Sequence, residues 1–239
     1  MSKKIAELSV FFPAYNEQGS IENTVLKAKN ILQTIAKKWE IIIVNDGSSD
    51  KTLEISRGLS KKDKNIRIIN HRINKGYGAA LQSGFYSSRY SWISFTDSDG
   101  QFDFSEINKF IAKQKETSAD LIIGYYKKRK VAKSVILSSK IWEIFVFILF
   151  GLKVRDIDCA FKLISKEVVD KIEKLESQRG AFISSELLIK AKRAGFKIEE
   201  IGITHYERSA GSSTGRNLGV IIESFKDLFR LWLKLNLRI

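Results

Sequence analysis

Cysteine and histidine are scarce in this chain of 239 residues, which contains one cysteine and two histidines. A single cysteine, Cys159, excludes an intrachain disulfide, and His71 and His205 are too few to complete a Cys/His zinc site with it. Long apolar runs are also absent, since the longest, residues 144–150, is far shorter than the ~20 residues that span a bilayer. The N-terminal residues do not resemble a signal peptide, so export is not expected.

Acidic residues are outnumbered by basic ones. The chain has 41 Lys and Arg residues against 27 Asp and Glu residues, which gives a formal net charge of +14 at pH 7. This excess favours an anionic partner, and a nucleic acid, a phosphorylated metabolite or a membrane surface would each satisfy it. The hydrophobic fraction of 44% is ordinary for a globular protein with a large core.

Short apolar runs alternate with amphipathic stretches of helical length in the first half of the chain. The predicted strands are residues 8–12, 40–44, 66–70, 92–96 and 120–124, and the predicted helices are residues 20–36, 51–60, 78–88 and 104–117, with Ser20 and Asp50 as candidate N-caps. This alternation predicts an α/β fold with a mostly parallel sheet and helices on both faces. Ligands of such sheets bind beyond the carboxyl ends of the strands.

Polar turns follow three of the predicted strands. Residues 13–17 are Pro-Ala-Tyr-Asn-Glu, residues 45–50 are Asn-Asp-Gly-Ser-Ser-Asp, and residues 97–101 are Asp-Ser-Asp-Gly-Gln. Carboxylates gathered at one edge of a sheet repel one another, and oxygen ligands without His or Cys indicate Mg²⁺ or Mn²⁺. Asp97 and Asp99 are the candidate ligands, although an acidic pair taken alone is more often a solvated cap.

Five motifs in sequence order resemble those of the inverting family 2 glycosyltransferases. Besides the three turns, they are Asn-Lys-Gly-Tyr-Gly at residues 74–78 and Arg-Asp-Ile-Asp-Cys-Ala-Phe-Lys at residues 155–162. Within the family, the chain is most similar to the dolichol-phosphate mannose synthases and polyprenyl-phosphate glucosyltransferases, over about residues 7–214. The resemblance implies a single nucleotide-sugar-binding, Rossmann-like domain of the GT-A type. It also implies transfer of mannose or glucose from GDP-mannose or UDP-glucose to a polyprenyl (dolichyl-type) phosphate.

The resemblance assigns roles to individual residues. Asp97, Asp99 and Gln101 match the metal site, and Arg208 matches a basic residue that acts with the two aspartates near the diphosphate. Asp46 is expected to contact the base of the nucleotide. The other residues matched to substrate binding are Pro13, Tyr15, Glu17, Val44, Lys75, Ser98, Asp156 and Asp158.

The acceptor side departs from the family pattern. Members often carry arginines shortly after the fifth strand and early in the following helix, where this chain has Tyr125, Tyr126, Val135 and Ile136. Lysine is a point charge, whereas arginine is a bidentate fork, so a lysine holds a phosphate differently. The residues expected to replace the arginines at the acceptor phosphate are Lys127, Lys128, Arg129 and Lys140, with Ser139 nearby as a further substrate-binding residue.

Two segments are predicted to lie at a membrane interface. Basic residues at 127–133 precede the apolar segment 134–152, and residues 226, 230, 234 and 238 form a basic stripe within an amphipathic C-terminal segment, residues 215–239. We expect a catalytic domain over residues 1–214 that is peripheral to the cytoplasmic face of a membrane. Many family members add transmembrane helices, so a membrane-anchoring protein is an expected partner and a nucleic acid is not.

A phosphate acceptor suits the chemistry that the sequence offers. A phosphate monoester is already ionised at pH 7, because its second pKa is about 6, so it can attack without a general base and invert the anomeric centre. A cation and an arginine can stabilise the departing diphosphate. Two other interpretations remain. Transfer to a sugar hydroxyl would need Asp156 or Asp158 as a base, and a non-catalytic module that binds nucleic acid or membrane would need no cation.

Overall fold

A computed structural model describes residues 4–127, 133–180, 182–206 and 218–237 of the chain. The elements in these ranges are β1 Ile5–Ala14, α1 Ile21–Ile35, β2 Ala36–Asp46, α2 Thr52–Lys62, β3 Ile66–His71, α3 Tyr77–Ser87, β4 Trp92–Phe95, a 3-10 turn Phe104–Glu106, α4 Ile107–Thr117, β5 Leu121–Tyr126, α5 Lys133–Phe150, β6 Lys162–Ser165, α6 Lys166–Lys171, α7 Phe182–Arg193, β7 Ile198–Ile203 and α8 Leu218–Leu237. The five predicted strands and four predicted helices are all present.

The strands of the described residues form one sheet in the order β3-β2-β1-β4-β6-β5-β7. Strand β6 runs antiparallel to both of its neighbours, β4 and β5, and the other strands are parallel to one another. The prediction of an α/β fold with a mostly parallel sheet is therefore confirmed. The sequence pattern missed β6 and β7.

The sheet is covered on both faces because its strand residues alternate between two apolar layers. Phe11 packs on one face, where its ring stacks on Phe95 with centroids 5.1 Å apart, and Phe12 packs on the other face against Phe104. Phe11, Phe12 and Phe95 are all fully buried. A sheet held between two packed layers gives the loops at its carboxyl edge a rigid support.

The two candidate N-caps have different outcomes. The carboxylate of Asp50 accepts a hydrogen bond from the N–H of Thr52 at 2.9 Å, although Lys51 occupies the N-cap position of α2. Ser20 occupies the N-cap position of α1, as predicted, but its side chain makes no capping hydrogen bond, and its hydroxyl donates to Glu17 Oε2 at 2.7 Å. The predicted position is therefore confirmed for Ser20, whereas Asp50 precedes the N-cap residue by one position.

Helices α5 and α8 pack together on one face of the sheet. The Trp142 ring on α5 contacts the Phe225 ring on α8 with centroids 5.1 Å apart, and Leu228 and Leu231 of α8 are buried. Much of the apolar face predicted for the C-terminal segment is thus covered by the protein itself. None of the helices described is long and apolar enough to cross a membrane.

The segment between α6 and α7 packs over the N-terminus of α3. Ala79 donates its N–H to the Gln178 carbonyl at 2.9 Å, and a Cβ at Gly78 would lie 2.3 Å from the Ser177 carbonyl oxygen. On the other side, the buried carboxylate of Glu186 accepts the N–H of Ser177 at 2.9 Å. These contacts fix the start of α3, which borders the candidate site.

Candidate active site

The polar motifs meet at the carboxyl edge of the sheet. Strands β1, β2, β4 and β5 are parallel, so the turns that follow them lie on the same side. Because β6 is antiparallel to β4 and its Lys162 pairs with Phe95, the loop of residues 155–161 that enters β6 lies at that edge too. The structure therefore brings the first, second, fourth and fifth motifs together, and residues 74–78 join them at the start of α3.

The turns after β1 and β2 are bonded to each other. The N–H of Asn16 donates to Ser48 Oγ at 3.0 Å, and the N–H of Ser49 donates to Asn16 Oδ1 at 2.8 Å. Asn16 has a φ of 56°, in the left-handed region that asparagine tolerates better than most residues. Tyr15 is 44% exposed beside this turn, where it is available to a ligand.

Other residues matched to substrate binding make contacts within the protein itself. The Pro13 carbonyl accepts the Ser98 hydroxyl at 2.8 Å, which ties the turn after β4 to β1. Glu17 is buried and accepts the Ser20 hydroxyl at 2.7 Å. Val44 lies in the apolar core with no exposed surface, so its side chain is not placed to contact a substrate, contrary to the prediction.

Asp46 is an internal anchor rather than an open contact for a base. Its Oδ1 lies 2.6 Å from His71 Nδ1 and accepts the N–H of Lys75 at 3.0 Å, and its Oδ2 accepts the N–H of Gly76 at 2.8 Å. Asp46 is only 3% exposed. The carboxylate therefore holds the loop of residues 74–76, and the Lys75 side chain, which is exposed, is what this loop presents outward.

Asp46→Asn is expected to loosen that loop, because an amide nitrogen would face an N–H that now donates to a carboxylate oxygen. Leaving buried hydrogen-bonding groups unsatisfied costs about 1–3 kcal/mol, so we expect an increase of about tenfold in the KM for the nucleotide sugar and a lower free energy of unfolding. Steady-state kinetics and urea unfolding measure the two effects. Asp170→Asn on α6 is the control, and an unchanged donor KM would contradict the prediction.

Asp97 and Asp99 follow β4, and each carboxylate is held by a hydrogen bond. Asp97 Oδ1 accepts the Tyr77 hydroxyl at 2.9 Å, and Asp99 Oδ1 accepts the N–H of Gln101 at 3.0 Å. Burial, followed by the charge of Asp97, raises the pKa of Tyr77 well above its usual value near 10, so the phenol stays a donor. Sequence reasoning missed Tyr77, because its contact depends on how α3 packs against β4.

The carboxylate pair fits the proposed metal. Mg²⁺ commonly binds through one or two carboxylates and completes its coordination with water and substrate phosphates. Within the described ranges, no group of three or more His, Cys, Asp and Glu side chains could hold a metal ion. Asp97 and Asp99 are therefore the residues that would hold the predicted ion, with water and substrate phosphates as its other ligands.

Gln101, the third predicted metal ligand, lies beside His205. Gln101 Nε2 is 3.2 Å from His205 Nε2 and 3.3 Å from the Tyr206 carbonyl oxygen. The His205 ring also packs edge-to-face on Tyr126 with centroids 4.6 Å apart. His205 lies two residues after the end of β7, a strand that the sequence pattern missed, and it is therefore part of this cluster.

The loop before β6 is built around buried groups. Asp156, which is 6% exposed, accepts the N–H groups of Asp158 and Cys159 at one oxygen, each at 3.1 Å. Lys162 has no exposed surface and donates to the carbonyls of Ile157 and Cys159. Burial also raises the pKa of the Cys159 thiol to about 12. These contacts give Asp156 a structural role in shaping the loop.

The acceptor residues are only partly described. Lys140 lies on α5 and donates to Glu143 Oε2 at 2.6 Å, Ser139 precedes it on the same helix, and Lys127 follows β5 with its N–H bonded to the Ile203 carbonyl. Lys128, Arg129 and Arg208 lie outside the described residues. The structure thus places Lys127 and Lys140 at the same end of the sheet as Asp97, and it does not test the roles of those three residues.

Comparison with protein families identifies the chain. Residues 9–173 match Glycosyl transferase family 2. The chain belongs to this family. The resemblance drawn from the five motifs and the prediction of a glycosyltransferase are therefore confirmed at the level of the family.

Curated members similar to this family 2 glycosyltransferase act on polyprenyl phosphates according to their names. A dolichyl-phosphate beta-glucosyltransferase of Trichomonas vaginalis is 33% identical over 82% of this chain and 64% of its own length. One from Saccharomyces cerevisiae is 32% identical over 92% of this chain and 71% of its own length. The dodecaprenyl-phosphate galacturonate synthase of Rhizobium johnstonii is 27% identical over 93% of this chain and 67% of its own length. This chain thus spans about two thirds of these relatives.

Solved structures confirm the fold of this family 2 glycosyltransferase. Glucosyl-3-phosphoglycerate synthase from Mycobacterium tuberculosis, crystallised with Mn²⁺, UDP and phosphoglyceric acid, matches with a TM-score of 0.71. The match covers 96% of this chain and 78% of that chain at 17% sequence identity. At that identity the likeness establishes the shared α/β architecture, and it leaves donor and acceptor to be argued from the site.

Proposed function

We propose that this glycosyltransferase transfers glucose from a nucleotide diphosphate to a polyprenyl phosphate at a membrane surface, with Mg²⁺ or Mn²⁺ held at Asp97 and Asp99. The observation that carries the proposal is that this carboxylate pair lies at the same edge of the sheet as α5, a helix with an exposed apolar face. The curated relatives support the acceptor class, because their names share a polyprenyl phosphate while their sugars differ. The beta-glucosyltransferases among them favour glucose over mannose.

Residues at the carboxyl edge of the sheet have separate roles toward the donor and the acceptor. Asp46 holds the loop of residues 74–76 next to the site for the nucleotide sugar, and Tyr77 orients Asp97 toward the diphosphate. The cation, when bound, supplies positive charge that stabilises the departing diphosphate. A solved structural neighbour was crystallised with Mn²⁺ and UDP-glucose. Mn²⁺ and UDP-glucose are therefore suitable as the first cation and donor to assay.

A phosphate acceptor fits this site better than a sugar hydroxyl. A hydroxyl needs a general base within reach, and Asp156, one of the two candidate bases, is buried with one oxygen occupied by two backbone N–H groups. Asp158, the other candidate, is half-buried and stays a prediction. An ionised phosphate needs no base at all. The geometry therefore favours direct attack by a phosphate oxygen, with inversion at the anomeric carbon.

The outward face of α5 provides a surface for the lipid. Four apolar side chains form one stripe along this helix, at spacings of four, three and four residues. They are Leu137, Ile141, Ile144 and Ile148, with exposures of 62%, 43%, 56% and 70%. Lys140 flanks the stripe. An apolar stripe bordered by a cation suits the interface of an anionic membrane, and it supports a peripheral position at the membrane. The proposal includes the cytoplasmic face as that position and a membrane protein as an anchor.

Transfer assays test the function. The purified chain is incubated with polyprenyl phosphate in detergent micelles, Mg²⁺ or Mn²⁺, and radiolabelled UDP-glucose or GDP-mannose. We expect label from UDP-glucose to enter organic-extractable lipid and chelation by EDTA to abolish transfer. If label were transferred from GDP-mannose but not from UDP-glucose, the donor sugar would be mannose and the assignment of glucose would be wrong. Transfer to soluble glycans but not to lipid would overturn the acceptor assignment.

A further inference from the structure

Arg155 stacks on an aromatic ring at the carboxyl edge of the sheet. Its guanidinium carbon lies 4.6 Å from the centroid of the Tyr125 ring, and its backbone N–H donates to Glu200 Oε1 at 2.6 Å. A guanidinium stacked on an aromatic face keeps the N–H groups along its edge available for hydrogen bonds in its own plane. The side chain is therefore positioned by Tyr125 while its donors remain open, and the residue as a whole is exposed.

A second cation lies next to Arg155. Lys140 Nζ donates to the Arg155 carbonyl at 2.8 Å and to Glu143 Oε2 at 2.6 Å, and the Lys140 side chain is 55% exposed. The contact joins α5 to the loop before β6. Glu143 contacts Lys140 and Glu200 contacts the backbone of Arg155, while the exposed ammonium and guanidinium still present hydrogen-bond donors toward solvent.

This pair of cations lies between the metal candidate Asp97 and the exposed stripe on α5. Tyr125 is near the carboxyl end of β5, and Arg155 begins the loop that pairs into β6 beside β4, the strand that precedes Asp97. On its other side, Lys140 flanks the exposed stripe of Ile141 and Ile144 on α5. A molecule with a phosphate at one end and an apolar chain at the other could bind here, because the cations suit the phosphate and the stripe suits the chain.

We propose that Arg155 and Lys140 bind the phosphate of the lipid acceptor, with the guanidinium as the bidentate donor and the stripe on α5 receiving the first part of the polyprenyl chain. This inference rests on the proposed function.

Kinetics with separated substrates test this assignment. In detergent micelles without phospholipid, Arg155→Ala is expected to raise the KM for polyprenyl phosphate about 10- to 100-fold and to leave the KM for the nucleotide sugar unchanged. Arg155→Lys, which keeps the charge but loses the fork, should recover only part of the loss. Tyr125→Phe, which keeps the ring, should resemble the wild type, whereas Tyr125→Leu should resemble Arg155→Lys. Arg57→Ala on α2 removes the same charge elsewhere and is the control.

Direct binding separates failure of this assignment from failure of the proposed function. Farnesyl phosphate is titrated against wild type and Arg155→Ala while tryptophan fluorescence is followed, and thermal melting shows that each variant is folded. Weaker binding by the variant supports the assignment even if no transfer is found. Equal acceptor KM and equal binding would overturn it and leave the proposed function intact. Loss of binding to anionic phospholipid vesicles alone would assign Arg155 to lipid headgroups and would also overturn it.

Discussion

Asp97→Asn is expected to lower the rate of hexose transfer by about 10³-fold, the scale seen when a group that stabilises transition-state charge is removed. The amide is nearly isosteric with the carboxylate and can still accept the hydrogen bond from Tyr77, so the fold should be retained. It lacks the negative charge that attracts a divalent cation, so the departing diphosphate loses most of its stabilisation. Asp99→Asn should have a similar effect. The rate of label transfer into lipid at saturating donor and Mn²⁺ measures the loss.

Metal binding provides a second readout that does not depend on turnover. Wild type and Asp97→Asn are titrated with Mn²⁺ in the presence of UDP, and free Mn²⁺ is followed by electron paramagnetic resonance. We expect much weaker binding by the variant and no change for Asp170→Asn, which removes an exposed carboxylate of α6. If Asp97→Asn kept more than a tenth of the wild-type rate together with unchanged Mn²⁺ binding, the assignment of a metal to this pair would be wrong.

The first half of the fold could be predicted because its strands are apolar and its turns are polar. Strands β1 and β2 carry the runs around Phe11 and Ile42, and each is followed by a motif that leaves the sheet at the carboxyl edge. In a parallel sheet this order of strand, turn and helix is enough to place all the turns on one edge. The metal candidates Asp97 and Asp99 could therefore be located from sequence alone.

The second half of the fold was harder to predict, because the sequences of its strands lack the usual apolar pattern. β6 has only four residues and begins with Lys162, whose ammonium is buried against the carbonyls of Ile157 and Cys159. β7 contains Glu199 and Glu200 and pairs only with β5 among the strands described. A buried lysine and an edge strand with two charges both lack the apolar alternation on which a sequence prediction depends.

The direction of individual side chains was beyond sequence reasoning. Asp46 occupies the motif position of a ligand contact, yet its carboxylate faces the N–H groups of Lys75 and Gly76. Whether it meets a ligand or the chain depends on where the loop after β3 folds back, which no local pattern encodes. The same reason explains why Tyr77 and Arg155 were overlooked, since each acquires its role from a partner on another element.

The exposed stripe on α5 leads to the second large effect. Ile144→Glu is expected to weaken binding to anionic vesicles about 100-fold, because burying an isoleucine side chain contributes about 1.5–3 kcal/mol and a glutamate adds repulsion from the anionic surface. Transfer to polyprenyl phosphate embedded in those vesicles should fall in parallel. Because Ile144 is 56% exposed, the fold should tolerate the change. Vesicle cosedimentation and the lipid-transfer assay measure the two losses.

Leu26→Glu is the matched control, since Leu26 is also an exposed apolar residue, at 41%, but lies on α1, away from the stripe. It makes the same change in charge and should leave vesicle binding almost unchanged. Transfer to farnesyl phosphate in solution should fall less in Ile144→Glu, because that acceptor needs no membrane and loses only its contact with the stripe. An exposed apolar surface is covered by whichever partner excludes water from it. If Ile144→Glu kept vesicle binding but lost dimers that the wild type forms in analytical ultracentrifugation, the stripe would contact a second copy of the chain instead of lipid.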